Sequence, residues 1–81
     1  MIIMKVIFGK NIIADPQILA GKPVIRGTRI PVDLILKKLA ENVPMDKILK
    51  DYPRLTKGHI QEILKYAHSL VAREEVYPAN L

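Results

Sequence analysis

The sequence predicts a mainly α fold, a small helix-turn-helix bundle of three main helices with a short N-terminal β-strand and β-arm. Two helical stretches lying close together carry the prediction, and a β-branched N-terminus completes it. Thr56 is a good helix N-cap, because its hydroxyl can accept from an amide left free at a helix start. After it, Ile60, Ile63, Leu64, Ala67, Leu70 and Val71 recur at the spacing of a buried helical stripe. Upstream, Pro44 suits a first helical position, and Met45, Ile48, Leu49 and Tyr52 make a second, shorter apolar stripe. Pro53 stops that helix, so only residues 52–55 separate the two. Helices this close that share a core form a helix-turn-helix unit, whose second helix usually enters the DNA major groove. An αα-hairpin that only packs fits the same pattern.

In chain order, the elements belong to one domain spanning residues 1–81. Residues 1–10 are rich in β-branched side chains and end at Gly9-Lys10, which predicts a strand. Its apolar residues barely alternate, which implies burial on both faces or pairing across a dimer. Residues 11–32 form a β-arm: an extended piece at 11–13, a turn opened by Asp15-Pro16, then Val24-Ile25 extended between Gly21 and Gly27. Residues 33–73 hold the three helices. The first runs to about Glu41, with Val32, Ile35, Leu36, Leu39 and Ala40 inward, Lys37 and Lys38 outward, and Asn42 as a left-handed terminator. Residues 74–81 lose the helical period and are predicted to be an extended tail.

A chain of 81 residues buries a thin core, and this one has no cysteine to staple it. With 49% hydrophobic residues, it is expected to gain stability as a homodimer. The net charge of +5 favours an anionic partner. Residues 1–43 carry seven basic and three acidic side chains, residues 44–73 six and three, and residues 74–81 two glutamates and no base. No apolar run approaches the ~20 residues of a membrane span, and the N-terminus lacks the features of a signal peptide. A cytoplasmic protein is expected.

The polar side of the last helix holds Lys57, Gln61, Lys65 and His68 in one line without an acid. Lys can donate to guanine and Gln can pair bidentately with adenine, so Lys57, Gln61 and Lys65 are candidates for base contact. An ordinary solvated helix face would look the same. Lys47, Arg54 and Thr56 suit phosphate contacts, which set register without reading sequence. His59 and His68 lie nine residues apart with no metal-ligand pairing, so His59 is expected to be solvated or to face DNA. Arg26 and Arg29, beside Gly27, could cradle a phosphate or serve the arm's structure. Carboxylates are scattered singly, without the close pair that acid–base or two-metal chemistry needs. Neither catalysis, a metal nor a cofactor is expected.

The runs Asp15-Pro16, Gly21-Lys22-Pro23-Val24-Ile25 and Gly27-Thr28-Arg29-Ile30-Pro31-Val32 lead on to Ile48-Leu49, Asp51-Tyr52-Pro53, Leu55-Thr56, Ile60 and Tyr66-Ala67. Together, over about residues 12–68, they closely resemble the family catalogued as domain of unknown function 433. Its members are similar to VapB-type antitoxins with a homeodomain-like helix-turn-helix, often encoded beside a PIN-like toxin. The resemblance implies a DNA-binding antitoxin that represses its own operator as a dimer and neutralises a PIN-like ribonuclease. The tail lies outside the resemblance; its Val76, Tyr77 and Leu81 would anchor the toxin, unless the N-terminal strand adds to the toxin's sheet instead. The competing expectation is a protein-interaction module that keeps the scaffold and binds no DNA. One departure from the family pattern is Lys57-Gly58-His59 after the Thr cap. It removes a capping-box carboxylate and places a poor helix former in the first turn.

Overall fold

The computed structural model describes residues 6–72 of the chain. Its order is β1 (Val6–Phe8), β2 (Ile12–Ala14), β3 (Pro23–Ile25), α1 (Val32–Ala40), α2 (Met45–Asp51) and α3 (Lys57–Ala72). The described part of the predicted N-terminal strand is β1; residues 1–5 lie outside the described residues. The β-arm is not a separate feature. β2 and β3 join β1 in one antiparallel meander, ordered β1-β2-β3, with Phe8 opposite Ile12 and Ile12 opposite Ile25.

The ladder explains where proline is tolerated. Arg26 N–H donates to the Asn11 carbonyl at 2.7 Å, so strict alternation makes Ala14–Pro23 a non-hydrogen-bonded pair. The missing N–H of Pro23 therefore costs no ladder bond. On the other side of β3, Ile25 N–H donates to the Ile30 carbonyl, and Val24 bridges Pro31. Thr28 closes this tight turn: its hydroxyl donates to the Ile25 carbonyl at 2.7 Å and accepts from Ile30 N–H at 3.0 Å.

Between β2 and β3, Asp15 Oδ1 accepts from Gln17 N–H at 2.9 Å and starts the predicted turn. The chain then curls left-handed through Leu19 (φ 47°), Ala20 (φ 55°) and Gly21 (φ 87°). Two of these three residues carry a Cβ, each at a cost of roughly 1–2 kcal/mol.

The helices begin and end for identifiable reasons. Asp33 in the first turn of α1 complements the helix dipole and pairs with Lys22 at 3.2 Å on the surface. Asn42 terminates α1 at φ 63°, as its side chain allows. Val43 N–H returns to the Lys38 carbonyl and Asn42 N–H to that of Leu39, a Schellman closure. Pro44 stands one residue before α2, as its N-cap, rather than inside it. Five residues, Tyr52 to Thr56, then lead into α3.

The core gathers Ile12 and Ile25 from the sheet, Val32 and Ile35 from α1, Ile48 from α2, Leu55 from the connection, and Ile60 and Ile63 from α3. Four expected placements change, the first being Met45 of the α2 stripe, which is exposed. Ala40 is exposed, and Lys38 is half-buried with its amine 5.9 Å from the centre of the Tyr52 ring. The wide apolar stripe on α3 narrows to Ile60 and Ile63, leaving Leu64 48%, Leu70 40% and Val71 72% exposed. Length accounts for the last two: the 16 residues of α3 outrun the nine of α1, so among the described residues its final turn extends past α1. Leu64 is exposed because α3 is rolled toward β1, where Phe8 meets Tyr66 at 4.6 Å between ring centres. No helix among the described residues is long and apolar enough to cross a membrane.

Urea denaturation tests this assignment of inside and outside. Ile35→Ala or Ile60→Ala should destabilise the fold by about 2–5 kcal/mol, whereas Leu64→Ala should cost less than about 1 kcal/mol.

Candidate functional site

Helix α3 starts from a reciprocal cap. Thr56 Oγ1 accepts from His59 N–H at 3.1 Å, and His59 Nδ1 accepts from Thr56 N–H at 3.2 Å. This is capping-box geometry with an imidazole nitrogen in place of the carboxylate that the sequence lacks. Two of the expected DNA contacts, Thr56 and His59, therefore take part in the cap. The Thr56 hydroxyl is engaged in the cap, although the residue is exposed. His59 is half-buried and lies about 200° around the helix from Gln61, off the outer face. Gly58 is there by no steric need, since a Cβ would meet only Thr56 Oγ1 at an ordinary 3.5 Å.

One turn on, Glu62 reaches the β1–β2 turn. Its Oε2 accepts from the backbone N–H groups of Lys10 and Asn11, both at 3.3 Å, and its Oε1 accepts from Asn11 Nδ2 at 2.5 Å. From the other side, Arg26 Nε donates to the Lys10 carbonyl at 3.0 Å. Gly9 permits this approach twice over. It holds φ +63°, and a Cβ there would stand 3.1 Å from Glu62 Oε2. The Asn11 side-chain hydrogen bond, with help from the two backbone amides, lowers the Glu62 pKa below its usual 4.5. Glu62 was passed over in the sequence as one isolated acid among several. The available signal was an acid set between lysines on a helix whose neighbouring turn, Gly9-Lys10-Asn11, had amides to satisfy.

With Glu62 tied back, the outer face of α3 presents Lys57, Gln61, Lys65 and His68, all exposed. These are the residues the sequence placed in one acid-free line, and the structure keeps them together. Lys47 is also exposed but pairs with Asp51 at 3.3 Å along α2. Arg54 is exposed and, with Ile18, Gly27, Thr28 and Arg29, lines a shallow hollow just before α3. Arg26 instead serves the hairpin. Val76, Tyr77 and Leu81 lie outside the described residues.

A larger groove of about 530 Å³ runs between β1 and the second half of α3. Its polar groups are Lys10, Lys65, Tyr66, the tethered Glu62, and Ser69, whose hydroxyl donates to the Tyr66 carbonyl. That set contains no nucleophile paired with a base. Among the described residues, no three His, Cys, Asp or Glu side chains are placed to hold a metal ion.

The fold and this face define a class: a small basic domain of three helices on a three-stranded meander, whose last helix turns cations and an amide outward. The chain belongs to the family described as Protein of unknown function (DUF433), whose model matches residues 12–67. It is 33% identical over 66 residues to the "Uncharacterized protein y4eO" of Sinorhizobium fredii, a match covering 79% of this chain and 30% of the relative. The chain therefore spans less than a third of that relative's length. No solved structure matches it.

Three substitutions test the local chemistry. Thr56→Ala should lower stability by about 1 kcal/mol, the usual worth of a lost cap. Gly58→Ala should raise it by roughly 0.5–1 kcal/mol in the same urea titration, because no contact opposes the methyl. Glu62→Gln should destabilise at neutral pH, by an amount that shrinks in acid. The folded-state pKa of Glu62 lies below 4.5, so the unfolded chain takes up the proton first. The stabilisation is complete above that value and is lost as pH falls through the folded pKa, so wild-type and variant urea midpoints should converge as the pH is taken below 4.5.

Proposed function

We propose that the protein is a DNA-binding antitoxin of the helix-turn-helix type, acting as a dimer on its own operator and neutralising a PIN-like ribonuclease. The observation that supports it best is the outer face of α3, where Lys57, Gln61, Lys65 and His68 stand exposed with no acid among them. A duplex carries one phosphate charge for every ~1.7 Å of axis, and such a face suits it. In this reading α2 and α3 are the two helices of the unit. Gln61 and Lys65 meet base edges, and Lys57, Arg54 and Arg29 meet phosphates near the helix start. Lys47, with Asp51 beside it, contributes less. The antitoxin half of the reading rests on the family resemblance. The tail lies outside the matched residues; in this reading Val76, Tyr77 and Leu81 dock the toxin, or the N-terminal strand adds to its sheet instead.

An interaction module that binds no DNA has one observation in its favour: Leu70 and Val71 are exposed at the end of α3, a surface suited to protein. Gel shifts on the DNA upstream of the gene, across a salt series, separate the two. DNA binding should weaken linearly on a log–log salt plot, and Lys57→Ala should lower the slope by about 1. Lys65→Ala should weaken binding as well. Affinity indifferent to salt and to both substitutions would leave the interaction module standing.

A further inference from the structure

The exposure of Leu64 has a chemical consequence for the same face. Leu64 borders a notch of about 270 Å³ lined by Met45, Lys57, Ile60, Gln61 and Leu64. Ile60 is fully buried, whereas Met45 is 36% and Leu64 48% exposed. An ammonium, a primary amide and two apolar side chains thus converge on one opening, at the junction of α2 and α3. Gln61, Leu64, Lys65 and His68 follow the spacing i, i+3, i+4, i+7. Homeodomain recognition helices place their four groove-facing residues at that same spacing.

We propose that Leu64, supported by Met45, is a specificity-determining residue that packs on the C5-methyl group of a thymine. The proposal rests on the DNA-binding reading above and deepens it. The chemistry selects one base pair. Adenine offers N7 and N6–H₂ to a bidentate glutamine, and its paired thymine offers the O4 acceptor and a methyl group on the same groove floor. Gln61 matches the first pair of groups, and Leu64 with Met45 supplies the apolar surface for the methyl. A G·C pair offers no methyl group and leaves that surface against water or a polar edge. Lys57 on its rim also makes the notch complementary to a polyanion, which a purely hydrophobic partner would not need.

The test uses the whole protein and a random-sequence duplex pool. Duplexes enriched by the wild type should share A·T pairs at fixed positions. The best of them is then synthesised with deoxyuridine replacing each thymine in turn, which removes only the methyl group. Wild-type affinity should fall about fourfold at one position per half-site, the size expected for one buried methyl. Leu64→Ala should bind the thymine duplex more weakly and show no difference between the two bases, while Leu64→Met should restore part of the difference. Circular dichroism confirms that both variants are folded. A flat deoxyuridine series for the wild type would overturn the proposal while leaving DNA binding intact, as would an undiminished thymine preference in Leu64→Ala. Enrichment of no duplex at all would instead overturn the DNA-binding reading on which it rests. A sedimentation experiment in which Leu64→Ala loses self-association, with its thymine preference unchanged, would assign the notch to a second copy of the chain and overturn it too.

Discussion

The rotation of α3 about its own axis is the constraint on which the rest of the molecule hangs. Ile60 and Ile63 point inward and are fully buried, but two points on a cylinder leave some freedom of roll. Two further contacts remove it: the Glu62 carboxylate seated on the β1–β2 turn, and Tyr66 against Phe8. Both lie on the hairpin side, so they pull the helix that way. The consequence appears on the opposite border, where Leu64 rolls out of the core and Lys57 and Gln61 are exposed. One carboxylate therefore orients the helix and clears its outer surface of negative charge. Bonds from an acid to unpaired turn amides are charge-assisted and stronger than neutral ones, which suits them to this task.

Much of this was legible in the sequence because it depends on neighbours close in the chain. The Thr56 cap, the Pro53 stop, the Asn42 terminator and the β-branched strands are all decided within a few residues. The buried faces of α1 and α2 followed from their periodicity, apart from Ala40 and Met45. What was not legible depends on residues far apart. That the N-terminal strand and the arm are one sheet follows from pairings between Phe8, Ile12 and Ile25, and no local pattern announces them. The Glu62–Asn11 contact spans 51 positions and looks in the sequence like any solvated acid.

The apolar stripe of α3 shows why periodicity overreaches. Period tells which residues share a face; it does not tell how wide the facing surface is or how far it extends. Leu64, Leu70 and Val71 share that face and are still exposed among the described residues. The cap of α3 taught the converse. Losing the usual carboxylate at His59 looked like a defect, yet the imidazole supplies an acceptor at the same place. Chemical equivalence was available there without sequence similarity.

The core itself carries an implication of a different kind. Seven of its ten buried apolar residues are isoleucine, two are valine and one is leucine, and no polar or charged side chain is buried among the described residues. Isoleucine and valine have little torsional freedom about their first side-chain bond even before folding. Ordering them sacrifices less rotamer entropy than an equal volume of methionine would, at ~0.5–1 kcal/mol against as much as 2. So small an interior therefore solidifies through side chains that arrive already stiff. The uniqueness of the packed state comes from the branching of carbon skeletons, without any buried polar lock.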